Sequence, residues 1–408
     1  MKVDSMHYGK NDNGKAVVVF AGARDNYQLA LAMQDADLLD GFVTNVYSRK
    51  LAMERYGVEL RGDLIHIPIA ALGLFALMRA VRQLDLHYYS NQILSARARE
   101  LAELKGAALF ACSYYAYRDF RPDPGQLPYR FIIQIHTHPR SVRTLLLEEL
   151  DRVPAARQSL TKEAEIRMST RQFEELAVEP QLANGWVVAS SYTARTLADN
   201  GIPLNKIHVV PYGLDFATYP ERTTAPASNG PFTIMFLGSI LQRKGLSYLL
   251  DAVRLLHTAG IRMRLRGRGD VDEGLLAQYR DLDLDIQLNL PTAAIVREMQ
   301  QSDVFVLPSI AEGFAHVILQ AMGCGLPVIT TENTCGPDVI LNEQNGFIVP
   351  VRDPAAIAEK IEWSITHREA LGSMGRAAAK QARLFTWARF REGIRGAYAN
   401  MLEDACKQ

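Results

Sequence analysis

Two stretches of the chain carry side chains whose types and spacing suit the handling of a phosphorylated, hydroxyl-rich ligand. The run VFVLPSIAEGFAHVILQAMGCGLPVI (304–329) reads as a buried strand ending at Pro308, then a loop with Ser309 and Glu312, then a helix opened by Gly313-Phe314-Ala315. Such a junction presents unpaired backbone N–H groups and the positive end of a helix dipole, which suits phosphate oxygens. Glu312, on its loop, is expected to be mobile and to accept hydrogen bonds from sugar hydroxyls. Gln320 follows eight residues later, slightly over two helical turns, so it can share the face of the helix start and reach a second part of one ligand. Taken alone, Glu312 would be a helix cap. The second stretch, Phe236-Leu-Gly238-Ser-Ile-Leu-Gln-Arg243-Lys244-Gly245, ends one strand and enters a helix. A basic pair beside a glycine at a helix start suits a diphosphate, while surface charge near a turn is its plainer reading. Both stretches sit at strand ends of one sheet and can face one cleft.

Other chemical-looking patterns carry less. Gly9 to Ala16 has the spacing of a phosphate-binding loop, but Ala16 stands where a Ser or Thr must hold magnesium, and the loop precedes a strand instead of following one. The acidic triplets at Asp35-Ala-Asp37, Asp270-Val-Asp272 and Asp281 to Asp285 do not directly follow an apolar strand and read as solvated turns or helix faces. Gly267-Arg-Gly269 lacks the third glycine of a dinucleotide fingerprint. His136-Thr-His138 can supply two metal ligands, but no third lies nearby in the sequence.

The elements that must position these residues follow from the apolar pattern. At 408 residues the chain exceeds one comfortable core, and 48% hydrophobic with 22% charged residues is ordinary globular composition. Lys plus Arg and Asp plus Glu are both 45, giving zero formal net charge, which argues against nucleic acid as the main partner. The four cysteines are dispersed and read as reduced thiols. Short β-branched or aromatic runs at 16–21, 131–135, 186–189 and 207–211 suit buried parallel strands, with helices expected over 27–39, 161–177 and 191–200. The Pro-, Thr- and Ser-rich segment 218–231 reads as a linker. Beyond it, strands (232–237, 261–266, 285–288, 304–307, 328–331) again alternate with helices (245–257, 292–301, 316–322). The expected architecture is two α/β domains.

In these segments the chain resembles a family 4 glycosyltransferase. VVASSYTARTL with KIHVVPYGLDFATYP is similar to the end of that family's first domain. FLGSILQRKGLSYLLDAVRLL, LRLRGRGD, SDVFVLPSIAEGFAHVILQAMGCGLPVITT and NGFIVPVRDP match its second domain in order, and LFTWARFREGIRGAYANMLE resembles its last helices. The resemblance implies the GT-B fold: α/β, two Rossmann-like domains with parallel sheets facing a central cleft. It places an acceptor-binding domain over 1–220, completed by helices at about 385–408, and a nucleotide-sugar-binding domain over 221–384. The implied activity is transfer of a sugar from a nucleoside diphosphate sugar to an acceptor hydroxyl with retention, in saccharide or glycoconjugate biosynthesis, with no obligate metal and no cofactor beyond the donor.

By resemblance, Lys244 and Arg243 bind the donor diphosphate, Glu312 contacts donor-sugar hydroxyls, and the amides of Gly313, Phe314 and Ala315 bind phosphate or sugar oxygens. Gly22 approaches the donor from the first domain, where a side chain would obstruct it. His136 lines the cleft near the reacting carbon, with His138 as its near neighbour and a core role as the other reading. Two residues depart from the pattern: Gln320 replaces the second acid of the family's paired glutamates, and Ser239 stands where an arginine is usual. An inactive nucleotide-binding scaffold, or another GT-B activity such as a sugar phosphorylase, are the competing readings. The acceptor is expected to be a saccharide, a lipid-linked molecule or a small metabolite. The expected location is cytoplasmic, with a peripheral membrane contact through the apolar stretch at 67–78.

Overall fold

The computed structural model describes residues 14–22, 25, 27–53, 57, 59–60, 64–66, 86–114, 116–121, 127–224, 230–256 and 260–407. The apolar stretch at 67–78 lies outside them. Among the described residues, seven parallel strands form the first sheet: β1 (Ala16–Val19), β2 (Leu39–Thr44), β3 (Leu64–His66), β4 (Ala108–Cys112), β5 (Arg130–Gln134), β6 (Gly185–Val188) and β7 (Ile207–Val209). Their order is β3-β2-β1-β4-β5-β6-β7. Six parallel strands form the second: β8 (Phe232–Ile240), β9 (Ile261–Val271), β10 (Leu284–Leu288), β11 (Val304–Leu307), β12 (Val328–Thr331) and β13 (Gly346–Val349), in the order β10-β9-β8-β11-β12-β13. β1, β4, β6, β11 and β12 are buried along their whole length, as parallel strands covered on both faces must be.

The helices that matter below are α1 (Gln28–Asp35), α2 (Pro139–Arg152), α3 (Ala164–Arg167), α4 (Thr170–Val178), α5 (Ser191–Ala198), α6 (Leu246–Leu255), α7 (His316–Gly323) and α8 (Trp387–Cys406). The single helix expected over 161–177 is instead α3 and α4, because Ser169 starts a new helix through a reciprocal capping box with Gln172. The helix expected over 27–39 ends at Asp35, and Leu39 already pairs as the first residue of β2. β8 and β9 run on past their expected ends, pairing as far as Gly238 with Gly267 and then, after a register shift, Ile240 with Val271.

The two domains share material. α8 returns from the end of the chain and buries Phe390, Ile394, Tyr398, Met401 and Leu402 in the core of the first sheet. Conversely, Val142 and Leu146 of α2 join the core of the second. Beneath that contact the fully buried Glu149 accepts hydrogen bonds from Gln242 (3.0 Å) and Tyr248 (3.0 Å) and pairs with Arg352, all three from the second domain. Asp338 accepts the Ser191 amide at the start of α5 through both carboxylate oxygens (3.0 and 3.1 Å). Together these polar ties and the shared core fix the two sheet edges across one cleft.

Candidate functional site

In each sheet the strand order reverses direction beside the first strand, and crevices at such points open at the carboxyl ends. In the second sheet the switch lies between β8 and β11. β8 leads to Arg243 and Lys244, and β11 leads to Glu312, so the two stretches singled out in the sequence converge there. In the first sheet the switch lies between β1 and β4. Gly22 follows β1, and β5, beside β4, delivers His136.

A cleft of about 390 Å³ lies between these edges, and His136, Arg243, Lys244, Glu312, Gly313, Phe314 and Ala315 all line it. Lys244 Nζ pairs directly with Glu312 Oε1, and Arg243 approaches the same oxygen at 3.5 Å. Glu312 is therefore not mobile as expected: it is buried and held by two cations. Burial pushes its carboxyl up, but Lys244 and Arg243 outweigh that and hold it below the ordinary carboxylate range. Arg243 is engaged on three sides. Its Nη1 donates to the Ala311 carbonyl at 3.1 Å, and its Nε lies 3.2 Å from Glu163, which arrives from the first domain just before α3. Lys244 is thus the cation better placed for an incoming anion. Nothing local in the sequence announced Glu163, 80 positions from its partner.

The start of α7 has the expected character. Among the described residues, the amides of Gly313, Phe314 and Ala315 find no acceptor. Ala315, at the cap position, holds left-handed backbone (φ +59°, ψ +62°), a strained choice for a residue with a Cβ that concentrates at functional sites. Gly313 is required by crowding: a Cβ there would lie 2.0 Å from the Ile135 carbonyl oxygen across the cleft. Its own carbonyl accepts the hydroxyls of Ser190 and, at 3.0 Å, Thr193 of the first domain.

The two histidines separate cleanly. His138 is fully buried and caps α2: Nδ1 accepts the Arg140 amide at 3.2 Å, and Nε2 lies 3.1 Å from the Ala177 carbonyl. Burial pulls it down to about 4, so it stays neutral. His136 is exposed to the cleft, its ring 4.7 Å from that of Tyr114. Gly22 and Gln320 do not line the cleft. Gly22 takes left-handed backbone (φ +78°), donates its amide to Asn45 at 2.8 Å, and a Cβ there would meet open space. Gln320 Nε2 lies 3.4 Å from Nδ1 of His316, whose Nε2 reaches the Gly213 carbonyl at 2.8 Å. Ser239 meets the Arg268 carbonyl at 3.4 Å, which brings the exposed Arg268 beside the position lacking the usual arginine. An aromatic wall of Tyr212, Phe314, His316 and Trp387 completes the cleft; Tyr212 and Trp387 come from the two segments that cross between the domains, both within the family resemblance but neither singled out as a site residue.

Comparison with solved structures places this arrangement. The chain superposes on sucrose-phosphate synthase from Thermosynechococcus elongatus with a TM-score of 0.65 at 15% identity, covering 95% of this chain and 99% of that one. Anabaena HepE in complex with UDP-glucose superposes with a TM-score of 0.60 at 14% identity, covering 95% and 99%. The fold is GT-B. Residues 231–367 match the family model described as Glycosyl transferases group 1, a segment that contains Arg243, Lys244, Glu312 and Gln320. The chain is 29% identical to the amylovoran biosynthesis glycosyltransferase AmsK of Erwinia amylovora over 39% of this chain and 42% of that protein. Its matches span about half the length of the curated relatives.

Proposed function

We propose that this GT-B chain is a retaining glycosyltransferase of saccharide biosynthesis, moving a sugar from a nucleoside diphosphate to an acceptor hydroxyl. The observation that carries the reading is the pairing of Lys244 and Glu312 beside the unpartnered amides of 313–315, opposite His136. In a closed, water-poor cleft, a lysine and helix-start amides stabilise negative charge as it develops on a departing diphosphate. That term needs no metal, and no cofactor beyond the donor is assigned. Glu312 supplies acceptor oxygens for sugar hydroxyls, and an arriving diphosphate competes with it for Lys244. The departing phosphate takes the acceptor's proton, which accounts for retention without a nucleophile from the protein. Arg268, exposed beside Ser239, can replace the missing arginine, which favours an active enzyme over an inactive scaffold. The relative engaged in amylovoran biosynthesis points to a saccharide or lipid-linked saccharide as acceptor, and the UDP-glucose complex of the Anabaena protein makes uridine diphosphate the first nucleotide to test. Among the described residues no helix is long and apolar enough to cross a membrane. A cytoplasmic location, with peripheral contact at the membrane that carries such an acceptor, fits this role.

Thermal unfolding against a panel of nucleoside diphosphates and their sugars, with and without chelator, tests this directly. A ligand at one hundred times its Kd adds about 2.7 kcal/mol, which for domains of this size means a rise of a few degrees in Tm. One base should stand out, insensitive to chelator, and the shift should fall to about half or less in Lys244→Ala. A flat panel, or phosphate-dependent breakdown of the product, overturns the reading.

A further inference from the structure

Tyr114 lies just beyond β4 with left-handed backbone (φ +82°), a conformation unfavourable for a bulky side chain and one that persists only where its surroundings impose it. The source of that imposition is Glu179, which sits just after α4 and is 1% exposed. One of its carboxylate oxygens accepts the Tyr114 amide at 2.6 Å, and the other accepts those of Ala116 (2.7 Å) and Tyr117 (3.0 Å). A buried carboxylate thus holds the N–H groups of Tyr114, Ala116 and Tyr117. Burial pushes Glu179 up to about 7, with the three amides opposing.

The held loop delivers a side chain to the site. The edge of the Tyr114 ring rests on the His136 ring, centroids 4.7 Å apart and planes at 65°. The phenol donates to Glu165 Oε1 at 2.8 Å, fixing the far end of the ring. The neighbouring strand ends are stitched together as well: Ser113 donates its amide to the Ile133 carbonyl at 3.0 Å and accepts that of Ile135 at 3.3 Å, and Gln134 donates to the His136 carbonyl at 2.9 Å. Strain, a buried carboxylate and a clamped aromatic ring converge on one exposed imidazole, a concentration that marks function more than stability.

We propose that Tyr114 is a positioning residue for His136 and that Glu179 is the carboxylate that sets it there. This rests on His136 acting in the transfer reaction proposed above. The ring of Tyr114 limits the rotamers open to the imidazole, and Glu165 accepts the phenol's hydrogen bond at the far end of the ring.

Imidazole-selective NMR of the unliganded protein, with His136→Gln for assignment, tests the positioning without any substrate. His136 should carry a ring-current shift that Tyr114→Phe preserves and Tyr114→Leu abolishes. Glu179→Gln leaves the aromatic ring in the chain, yet should move the His136 signals most of the way toward those of Tyr114→Leu. His136 signals unchanged in Glu179→Gln overturn the proposal. Should that variant fail to fold, Glu179→Asp replaces it, its shorter carboxylate unable to reach all three amides: His136 signals that move toward those of Tyr114→Leu support the proposal, and unchanged signals overturn it. With the donor found by the thermal panel, Tyr114→Leu should lose about tenfold or more in kcat with the donor KM within about twofold, and Tyr114→Phe should recover most of the loss. A loss confined to KM, or no rescue by Phe, also overturns it. Failure of the wild-type protein to bind any nucleotide would sink the glycosyltransferase reading, while the NMR comparison would still decide whether Tyr114 positions His136.

Discussion

The two sheet edges that face the cleft solve opposite problems. The second domain's edge is built of charge: Lys244, Arg243 and Glu312 within reach of one another, beside a helix start with unpaired amides. The first domain's edge presents His136, backed by the ring of Tyr114, and its buried carboxylate faces backbone amides instead of the cleft. In the reaction proposed above, one edge would hold the anion and the other would fix shape around the acceptor hydroxyl. The difference teaches that charge in a ligand is met by side chains a sequence displays openly, whereas orientation is met by backbone geometry that it does not.

The sharpest way to break this contrast is to compare one residue from each edge. At pH 7.5, Lys244→Ala should weaken the preferred nucleoside diphosphate about ten- to 150-fold, the equivalent of one charge-assisted hydrogen bond of roughly 1.5–3 kcal/mol. His136→Ala should leave that affinity within about twofold while abolishing turnover. Isothermal titration would show it, and a reversed pattern would mean that the edges have been assigned the wrong way round.

A smaller effect separates the two histidines. Because burial lowers His138 to about 4 in the folded chain, the unfolded chain binds its proton first as pH falls below about 6.5. The stability tied to neutral His138 is therefore complete above that value and is lost progressively down to about pH 4, amounting to about 2 kcal/mol between pH 7 and pH 5. Urea unfolding of the wild type and His138→Asn at both pH values should show this slope only in the former. His136→Asn should leave the slope in place.

The smallest expected effect lies at Gly22. Its left-handed backbone predicts that Gly22→Ala costs about 1 kcal/mol of stability, yet its Cβ would meet nothing in the protein. A loss of donor turnover well beyond that small change, at unaltered fold, would show that the space is reserved for ligand. Equal activity would remove Gly22 from the site.

The sequence displayed the second domain more fully than the first, for the same reason that the edges differ. Its strands are short apolar runs between helices, and its site residues fall within single strand–loop–helix units, so local order carried both. In the first domain β2, β3 and β4 escaped a reading based on apolar runs, and 161–177 looked like one helix because apolar spacing does not reveal a capping box inside it. Glu163, Tyr114 and Glu179 could not be found at all: their roles depend on partners 22 to 80 positions away and on a backbone angle that residue type does not encode. His136 and His138 were indistinguishable by spacing, and only the burial of one beneath Ala177 and Arg140 tells them apart.

The return of α8 has a consequence for how the molecule is made. The strands of the second domain are contiguous in the chain, whereas the core of the first lacks Phe390, Ile394, Tyr398, Met401 and Leu402 until α8 has left the ribosome. Although it is translated first, the first domain is the one that finishes second, waiting with an open apolar flank while its partner folds. A free chain truncated before residue 387 should therefore hold a protease-resistant second domain and a cleavable first one.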